Sequence, residues 1–552
     1  MKILKWGGAV LGVLALVAVG GVAYLKHNPV VFLHINARLQ QRDIGPSHPV
    51  VWQQGPETPP AGKRPPNIVL ILADDLGYND ITLNGGGVAG GVVPTPNINS
   101  IAADGVDLTQ GYAGNATCAP SRAAIMTGRY ATRFGFEFTP THPIFEKLIG
   151  EFQYGSRKGL YFADREKDNI PVANMGIPRG EVTIGKLLQA QGYHTLMFGK
   201  WHLGEKPEMR PQAQGFDESL GFLFGASLYA PDGAPGIQQN KQDWDPIDKF
   251  LWAALPFAVS KDGGPRFTPD KYMTDYLGEQ AADAIKANRN RPFFMYLAFN
   301  APHTPLQATQ EDYDALPMIK DHEMRVYAAM IRALDRNVGR VLQALKDQGL
   351  DDNTLVIFTS DNGGAHYIGL PDINKPYRGW KATFFEGGIH VPYFMKWPAA
   401  LPKAAKYGLP VAHVDIFATA AGAAGATMPT DRVLDGVNLL PFLEGKKPGR
   451  PHETLFWRSG DYKVLLAGDW KLQVSERPKK NWLFNLKDDP TERKNLADAD
   501  AAKVTELLGV LQGIDGQQHK PIWPALAEAP VAIDHPAHSP DSPDDEYIYW
   551  AN

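Results

Sequence analysis

Ten polar residues stand where apolar runs of the chain end or turn. Asp74 and Asp75 close "NIVLILADD", Asp361 and Asn362 close "TLVIFTSDN", Lys200 and His202 end "HTLMFGKWH", and His303 ends "FFMYLAFNAPH". Lys381 lies in "RGWKATFFEGG", and Cys118 and Arg122 lie in "CAPSR". These residues form two chemical sets. Asp74, Asp75, Asp361 and Asn362 offer carboxylate and amide oxygens, which suit one hard divalent cation such as Ca2+ or Mg2+. An acidic pair after a strand is by itself more often a turn or a helix cap, but two such pairs in equivalent positions favour a metal site. Arg122, Lys200, His202, His303 and Lys381 are cationic or can become so. Each alone reads as a surface charge or a hydrogen-bonded core histidine. Beside a metal at one sheet edge they suit a compact anion, a sulfate or phosphate ester.

Cys118 is the only cysteine in 552 residues, so it has no internal disulfide partner. It precedes "PSRAAIM", a short helix with proline in its first turn. At a helix N-terminus the free N–H groups and the dipole favour negative charge. A thiolate is nevertheless a soft ligand, mismatched to a hard cation among oxygens; an oxygen in its place would fit. Asn115-Ala116-Thr117 matches a glycosylation sequon, and because it abuts Cys118 the match is read as coincidence.

The elements that must position these residues read as an α/β protein. Asn67–Ala73 is a continuous apolar run, as expected of a strand covered on both faces. In an open α/β sheet the carboxyl ends of such strands are where ligands bind. "TPNINSIAADGV" follows helix grammar, with Thr95 as N-cap, Pro96 in the first turn and Gly105 at the stop. Helices alternating with apolar strands imply a large sheet with helices on both faces. After about Leu440 the pattern changes to short strands, "ETLFWRSG", "YKVLLAGDWKLQV" and "NWLFNL", followed by a helix near Ala501–Leu511. This predicts a smaller α+β unit with an antiparallel sheet, and the final "HPAHSPDSPDDEYIYWAN" reads as a surface tail. The expected division is 66–440 for a catalytic domain and 441–552 for the smaller unit with its tail.

Ahead of the body, Lys2 and Lys5 precede an uncharged run from Trp6 to Leu25. That run is long enough to span a bilayer, so residues 1–28 are read as a signal peptide or an N-terminal membrane anchor, and the protein as exported. Residues 29–65 are read as a linker, the part from Asp43 to Pro66 as a Pro-rich stalk rather than core. The net charge of −5 and the lack of any basic block argue against a nucleic-acid partner.

"CAPSRAAIMTGR" resembles the C-x-P-S-R signature of the type I, formylglycine-dependent sulfatases. "NIVLILADDLGYND", "TPNINSIAADGV", "FGKWHLG", "SDNGG", "KATFFEGG" and "LFNLKDDPTERKNLA" resemble family segments in family order. Asn79 is a small departure, since many members have glycine there. The resemblance implies an alkaline-phosphatase-like fold and leans to the arylsulfatase and N-acetylgalactosamine-sulfatase branch. It also implies that a maturation enzyme converts Cys118 to Cα-formylglycine, whose hydrate supplies two oxygens and removes the mismatch noted above. By the same resemblance, Asp74, Asp75, Asp361 and Asn362 hold one Ca2+ together with residue 118, and Asp361 helps deprotonate the attacking hydroxyl. Arg122 holds the modified residue. Lys200, His303 and Lys381 bind the sulfate oxygens, and His303 or Lys381 protonates the leaving oxygen. His202 takes the proton of the second hydroxyl to expel sulfate from a covalent intermediate. The implied substrate is an aryl sulfate or a sulfated sugar. A phosphate or phosphonate ester hydrolase of the same superfamily is the nearest alternative. Two-metal phosphatases need a second ligand set, and here lysine and histidine take that place. A non-catalytic exported binding protein is disfavoured because every expected position is filled. The loops Gly135–Pro178 and Gly225–Pro269 have no pattern that names a substrate, although "FEKLIGEFQYGSRKGLYF" and "KQDWDPIDKFLW" could contact a sugar or an aryl group.

Overall fold

The computed structural model describes residues 42–59, 61–62 and 64–552. The Trp6–Leu25 run lies outside them, and among the described residues no helix is long and apolar enough to cross a membrane. Five apolar runs form a parallel core in the order Glu218–Phe222, His194–Lys200, Phe293–Pro302, Asn67–Asp74 and Thr354–Ser360. On one side Val259–Lys261 and Arg266–Phe267 continue the sheet antiparallel. On the other, Tyr393–Lys396 pairs antiparallel with Thr354–Ser360, followed by Val106–Leu108 and Ala405–Tyr407, to make ten strands in a mixed sheet.

All eight residues of Asn67–Asp74 are buried, as a strand covered on both faces requires. Their alternation sorts them. Val69, Ile71 and Ala73 pack toward the helices Met273–Ala287 and His322–Asp347. Ile68, Leu70 and Leu72 pack toward the helices Cys118–Thr127, Ile184–Ala190 and Asp415–Ala424. Because the five central strands run the same way, their carboxyl ends share one edge. Asp74-Asp75, Lys200, His303 and Asp361-Asn362 all emerge there. The helix Cys118–Thr127 starts after Thr117, in extended conformation, and ends at Gly128 with φ +67. A Cβ on Gly128 would stand 2.8 Å from Phe417, so glycine serves both the turn and the packing.

The smaller unit is a four-stranded antiparallel meander, Thr454–Ser459, Tyr462–Ala467, Trp470–Glu476 and Lys479–Asn485. Gly468, at φ +60, turns the chain where the sequence showed a break. The helix Ala501–Asp515 covers this sheet, with Val504, Leu507 and Leu511 against Leu465, Leu472 and Leu483.

Two expectations are corrected. The segment read as a stalk packs on the body: Trp52 is 4% exposed and belongs to the main core, its Nε1 donates to Gln280 Oε1 (3.1 Å), and Gly45 bridges to Phe267. A Pro-rich extended segment has no internal hydrogen bonds and so reads as linker whether or not it lies on a surface. The final stretch is likewise not a free tail. Tyr547–Ala551 pairs with Ala527–Ala532, which also pairs with Leu160–Tyr161, and Trp550 is 5% exposed.

Candidate active site

The shared strand edge brings each predicted carboxylate against a predicted cation. Lys200 Nζ donates to both oxygens of Asp74 (2.9 and 2.8 Å). Lys381 Nζ donates to Asp75 Oδ2 (2.8 Å). Arg122 grips Asp361 through Nε (2.9 Å) and Nη2 (2.7 Å). Asp75 also takes a hydrogen bond from Asn362 Nδ2 (2.8 Å), and Cys118 Sγ lies 3.8 Å from its Oδ1. Local geometry at the strand ends aims these groups. Asp75 has φ +59, and its own N–H donates to Asp361 Oδ1 (3.1 Å), which locks the two acidic pairs together.

Burial makes these charges consequential. It lifts Asp74, against the pull of Lys200 and Arg122, to about 7. Burial would lift Asp75 and Asp361 too, but Lys381 and His303 hold the first below the usual carboxylate range and Arg122 and Lys200 hold the second there. Burial pushes the Cys118 thiol up to about 12 despite the two lysines, so the unmodified thiol is not ionised at neutral pH. His303 is pressed by burial down to about 3, Asp75 opposing. Its Nδ1 donates to Thr304 O (2.5 Å), which leaves Nε2 facing Lys381 Nζ at 3.3 Å and Asp75 at 3.6 Å. Burial would lower Lys381, but Asp75 holds it well above the usual lysine value. The proton at this pair therefore resides on Lys381, and His303 accepts. His202, at φ +59, is pressed far down by burial and by Lys200, and its buried Nδ1 has no partner among the described residues.

The oxygens of this cluster fit a hard cation: Asp74 and Asp75 offer carboxylates, and the buried Oδ1 of Asn362 has no hydrogen-bond partner among the described residues. Cys118 and His303 each offer one atom within 4.8 Å of the two carboxylates, and the thiol is the one soft donor among them. Asp361 is not in that close group, since its Oδ2 is turned to Arg122. Arg122 also reaches Lys200 O (3.1 Å) and Tyr296 Oη (3.3 Å), so it ties three strands together behind residue 118. Three participants were missed from sequence. Tyr367 donates to Asp75 (3.2 Å) and accepts from Lys381 (3.0 Å). His413 meets Ser121 Oγ (3.2 Å) and Thr359 Oγ1 (3.0 Å). Tyr296 sits mid-strand in an apolar run. No local spacing marks any of them; only Ser121, inside the C-x-P-S-R stretch, hinted that something must hold it.

The sulfatase family profile matches residues 66–426. Human N-acetylgalactosamine-6-sulfatase is 30% identical over 508 residues, which cover 85% of this chain and 88% of that protein. Rat steryl-sulfatase is 32% identical over 77% of this chain and 78% of its own. Among solved structures, that of Ps i-CgsB in complex with k-i-k-neocarrahexaose superposes with a TM-score of 0.68 at 32% identity, covering 83% of this chain and 95% of that one.

Proposed function

The chain belongs to the sulfatase family and is a sulfuric ester hydrolase; from that premise we propose that its substrate is a carbohydrate sulfate, cleaved at Cys118 after maturation of that residue to formylglycine. The reading is supported by the meeting of residue 118 with Lys200, Lys381 and His303 at one buried strand edge, which suits a single small anion. It is supported further by likeness to Ps i-CgsB, solved with an oligosaccharide, and to N-acetylgalactosamine-6-sulfatase. Hydrated, the matured residue would supply the hydroxyl that attacks sulfur and a second one through which sulfate is expelled.

The other roles fall to this chain's own side chains. Lys200 and Lys381 bind sulfate oxygens and offset the charge that grows on them during transfer. Lys381 carries the proton for the leaving oxygen, and Nε2 of His303 accepts from it and fixes its direction. His202, with an unpaired Nδ1, takes the proton of the second hydroxyl. Arg122 and Asp361 fix the strand ends around residue 118. Asp74, Asp75, Asn362 and Asp361 would hold the cation, Ca2+ in this proposal, which would offset their charge and polarise the oxygens near it. The partners proposed are a sulfated sugar and a maturation enzyme. Export, with Trp6–Leu25 as signal or anchor, belongs to the same reading.

Mass spectrometry of the Cys118 peptide tests it. Active protein should show the loss that converts a thiol to an aldehyde, and Cys118→Ala should stay folded and release no sulfate. Full activity with an intact thiol would overturn the proposal.

A further inference from the structure

One of the two loops with no readable pattern, Gly225–Pro269, reaches the sulfate end of the site. The loop bearing Trp244 is anchored next to His303: its strand Ile237–Asn240 pairs with Leu306–Thr309, and Gln242 Nε2 donates to Ile368 O (3.0 Å) and to Glu323 (3.1 Å). Trp244 then lies against Gly369, where a Cβ would stand 3.3 Å from the indole, and stacks on His538 at 4.6 Å and 18°. His538 comes from the carboxyl-terminal segment, which is tied to the same turn by Ala537 N–H donating to His366 O (3.0 Å). The next residue in that turn is Tyr367, which touches both Lys381 and Asp75. Three distant segments thus converge one residue away from the proposed sulfate-binding lysine.

Two buried polar atoms in this cluster, Nδ1 of His366 and Nε1 of Trp244, have no hydrogen-bond partner among the described residues. A buried polar atom left unpaired is costly and calls for an explanation. Burial and the Lys381 charge press His366 down to about 4, so its ring is neutral and can accept as well as donate.

We propose that Trp244, His366 and His538 form the subsite for the sugar ring that carries the scissile sulfate. His366 and the Trp244 N–H hydrogen-bond its hydroxyls, and the Trp244–His538 pair presents aromatic surface to its C–H face. This rests on the carbohydrate-sulfate reading above. A site built to bond hydroxyls discriminates strongly against a substrate that lacks them.

The test compares kcat/KM for N-acetylgalactosamine 6-sulfate and a sulfated carrageenan oligosaccharide with that for 4-nitrophenyl sulfate, in wild type, His366→Ala and Trp244→Phe. Trp244→Phe keeps an aromatic face but removes the indole N–H together with its five-membered ring, and exposed His538→Ala covers the case where a buried variant fails to fold. The expected result is that the ratio of sugar to aryl kcat/KM falls by about tenfold or more in each variant. An unchanged ratio, whether both activities fall together or neither does, overturns the subsite while the carbohydrate reading stands. A wild type that cleaves the aryl sulfate but neither sugar overturns both.

Discussion

His202 and His303 are held neutral by the same cause, burial, but they face different partners, and that difference separates their roles. His303 has Lys381 at hydrogen-bond distance and Asp75 just beyond, which is the basis for the proposal that it acts where the leaving oxygen needs a proton. Among the described residues His202 has no acidic partner and its Nδ1 is unpaired; its ring is backed by Gly225, where a Cβ would come within 2.7 Å. His202→Ala should therefore release about one equivalent of alcohol or phenol per site and then stall, with the mass of a sulfate retained on the peptide containing residue 118. His303→Ala should slow the first release itself, most for a sugar sulfate, because an alkoxide needs protonation more than an aryl oxide does. Single-turnover kinetics with both substrate types read this out. A burst with the His303 variant and none with the His202 variant would reverse the assignment. His202, His303, Lys200 and the carboxylates were legible in the sequence because each ends or closely follows an apolar run, and Lys381 because its stretch resembles a family segment. Tyr367 was not, since its contacts with Asp75 and Lys381 are made across a turn by a residue in no recognisable pattern.

At the scale of elements, the segment that delivers Lys381 is held mainly by the smaller carboxyl-terminal unit. Gly379 N and Trp380 Nε1 both donate to Ile533 O (3.1 Å each). Arg378 binds Asp534 (2.6 Å), Glu546 (2.8 Å) and Glu492 O (2.7 Å). Glu386, five residues past Lys381, receives Lys471 Nζ at 2.7 Å, and its N–H donates to Glu492 (2.6 Å), which Lys471 also reaches at 3.0 Å. Between these clamps the chain passes through Ala382 at φ +67, with Ala382 N donating to Ala116 O (2.8 Å), two residues before Cys118. Lys471 is thus the lysine shared by two buried glutamates, of which Glu386 also meets His390 Nδ1 (2.8 Å) and Glu492 accepts from Gln473 Nε2 (2.9 Å). Lys471→Met should leave the two buried carboxylates facing each other without their shared cation and cost about 3–5 kcal/mol in urea unfolding. If the unit also positions Lys381, kcat should fall several-fold at temperatures where the variant is fully folded, with KM less affected. An unchanged kcat in the folded variant would reduce the unit to a packing partner. The sequence showed the strands of this unit but not its grip on the segment bearing Lys381, because the clamp pairs residues 85 or more apart whose local surroundings are ordinary.

For the whole molecule, the central layers followed from local signals, a continuous apolar run for a strand buried on both faces and a Thr-Pro start for the helix Pro96–Ala103, although the Thr95 side chain makes no cap hydrogen bond. What escaped was long-range: Trp52, packed against Phe198 and bonded to Gln280, and the strand Tyr547–Ala551 are short or extended pieces whose burial is decided by a distant partner. The same kind of contact sets one pH response of the entire fold. Asp80, at the end of the first strand's loop, is buried, receives Gly77 N–H (2.6 Å), and takes the hydroxyl of Tyr327 from the long helix His322–Asp347 (2.5 Å). Among the described residues no cation stands among its hydrogen-bond partners, and burial raises its pKa from 3.8 to about 8, Tyr327 and Gly77 opposing. The folded protein thus keeps a proton on Asp80 that the unfolded chain loses near pH 4. The resulting stability is complete below about pH 4 and is lost as pH rises toward 8, at up to about 1.4 kcal/mol per pH unit for one proton. Asp80→Asn mimics the protonated acid: its oxygen can accept from Gly77 and Tyr327, and its amide takes the place of Oδ1, which has no partner among the described residues. Urea unfolding between pH 5 and 8 should therefore show a shallower loss of stability with rising pH in Asp80→Asn than in the wild type, and the variant should be the more stable of the two at pH 8. Parallel pH profiles for the two proteins would mean that Asp80 is ionised in the fold and that Tyr327 and Gly77 stabilise a carboxylate there.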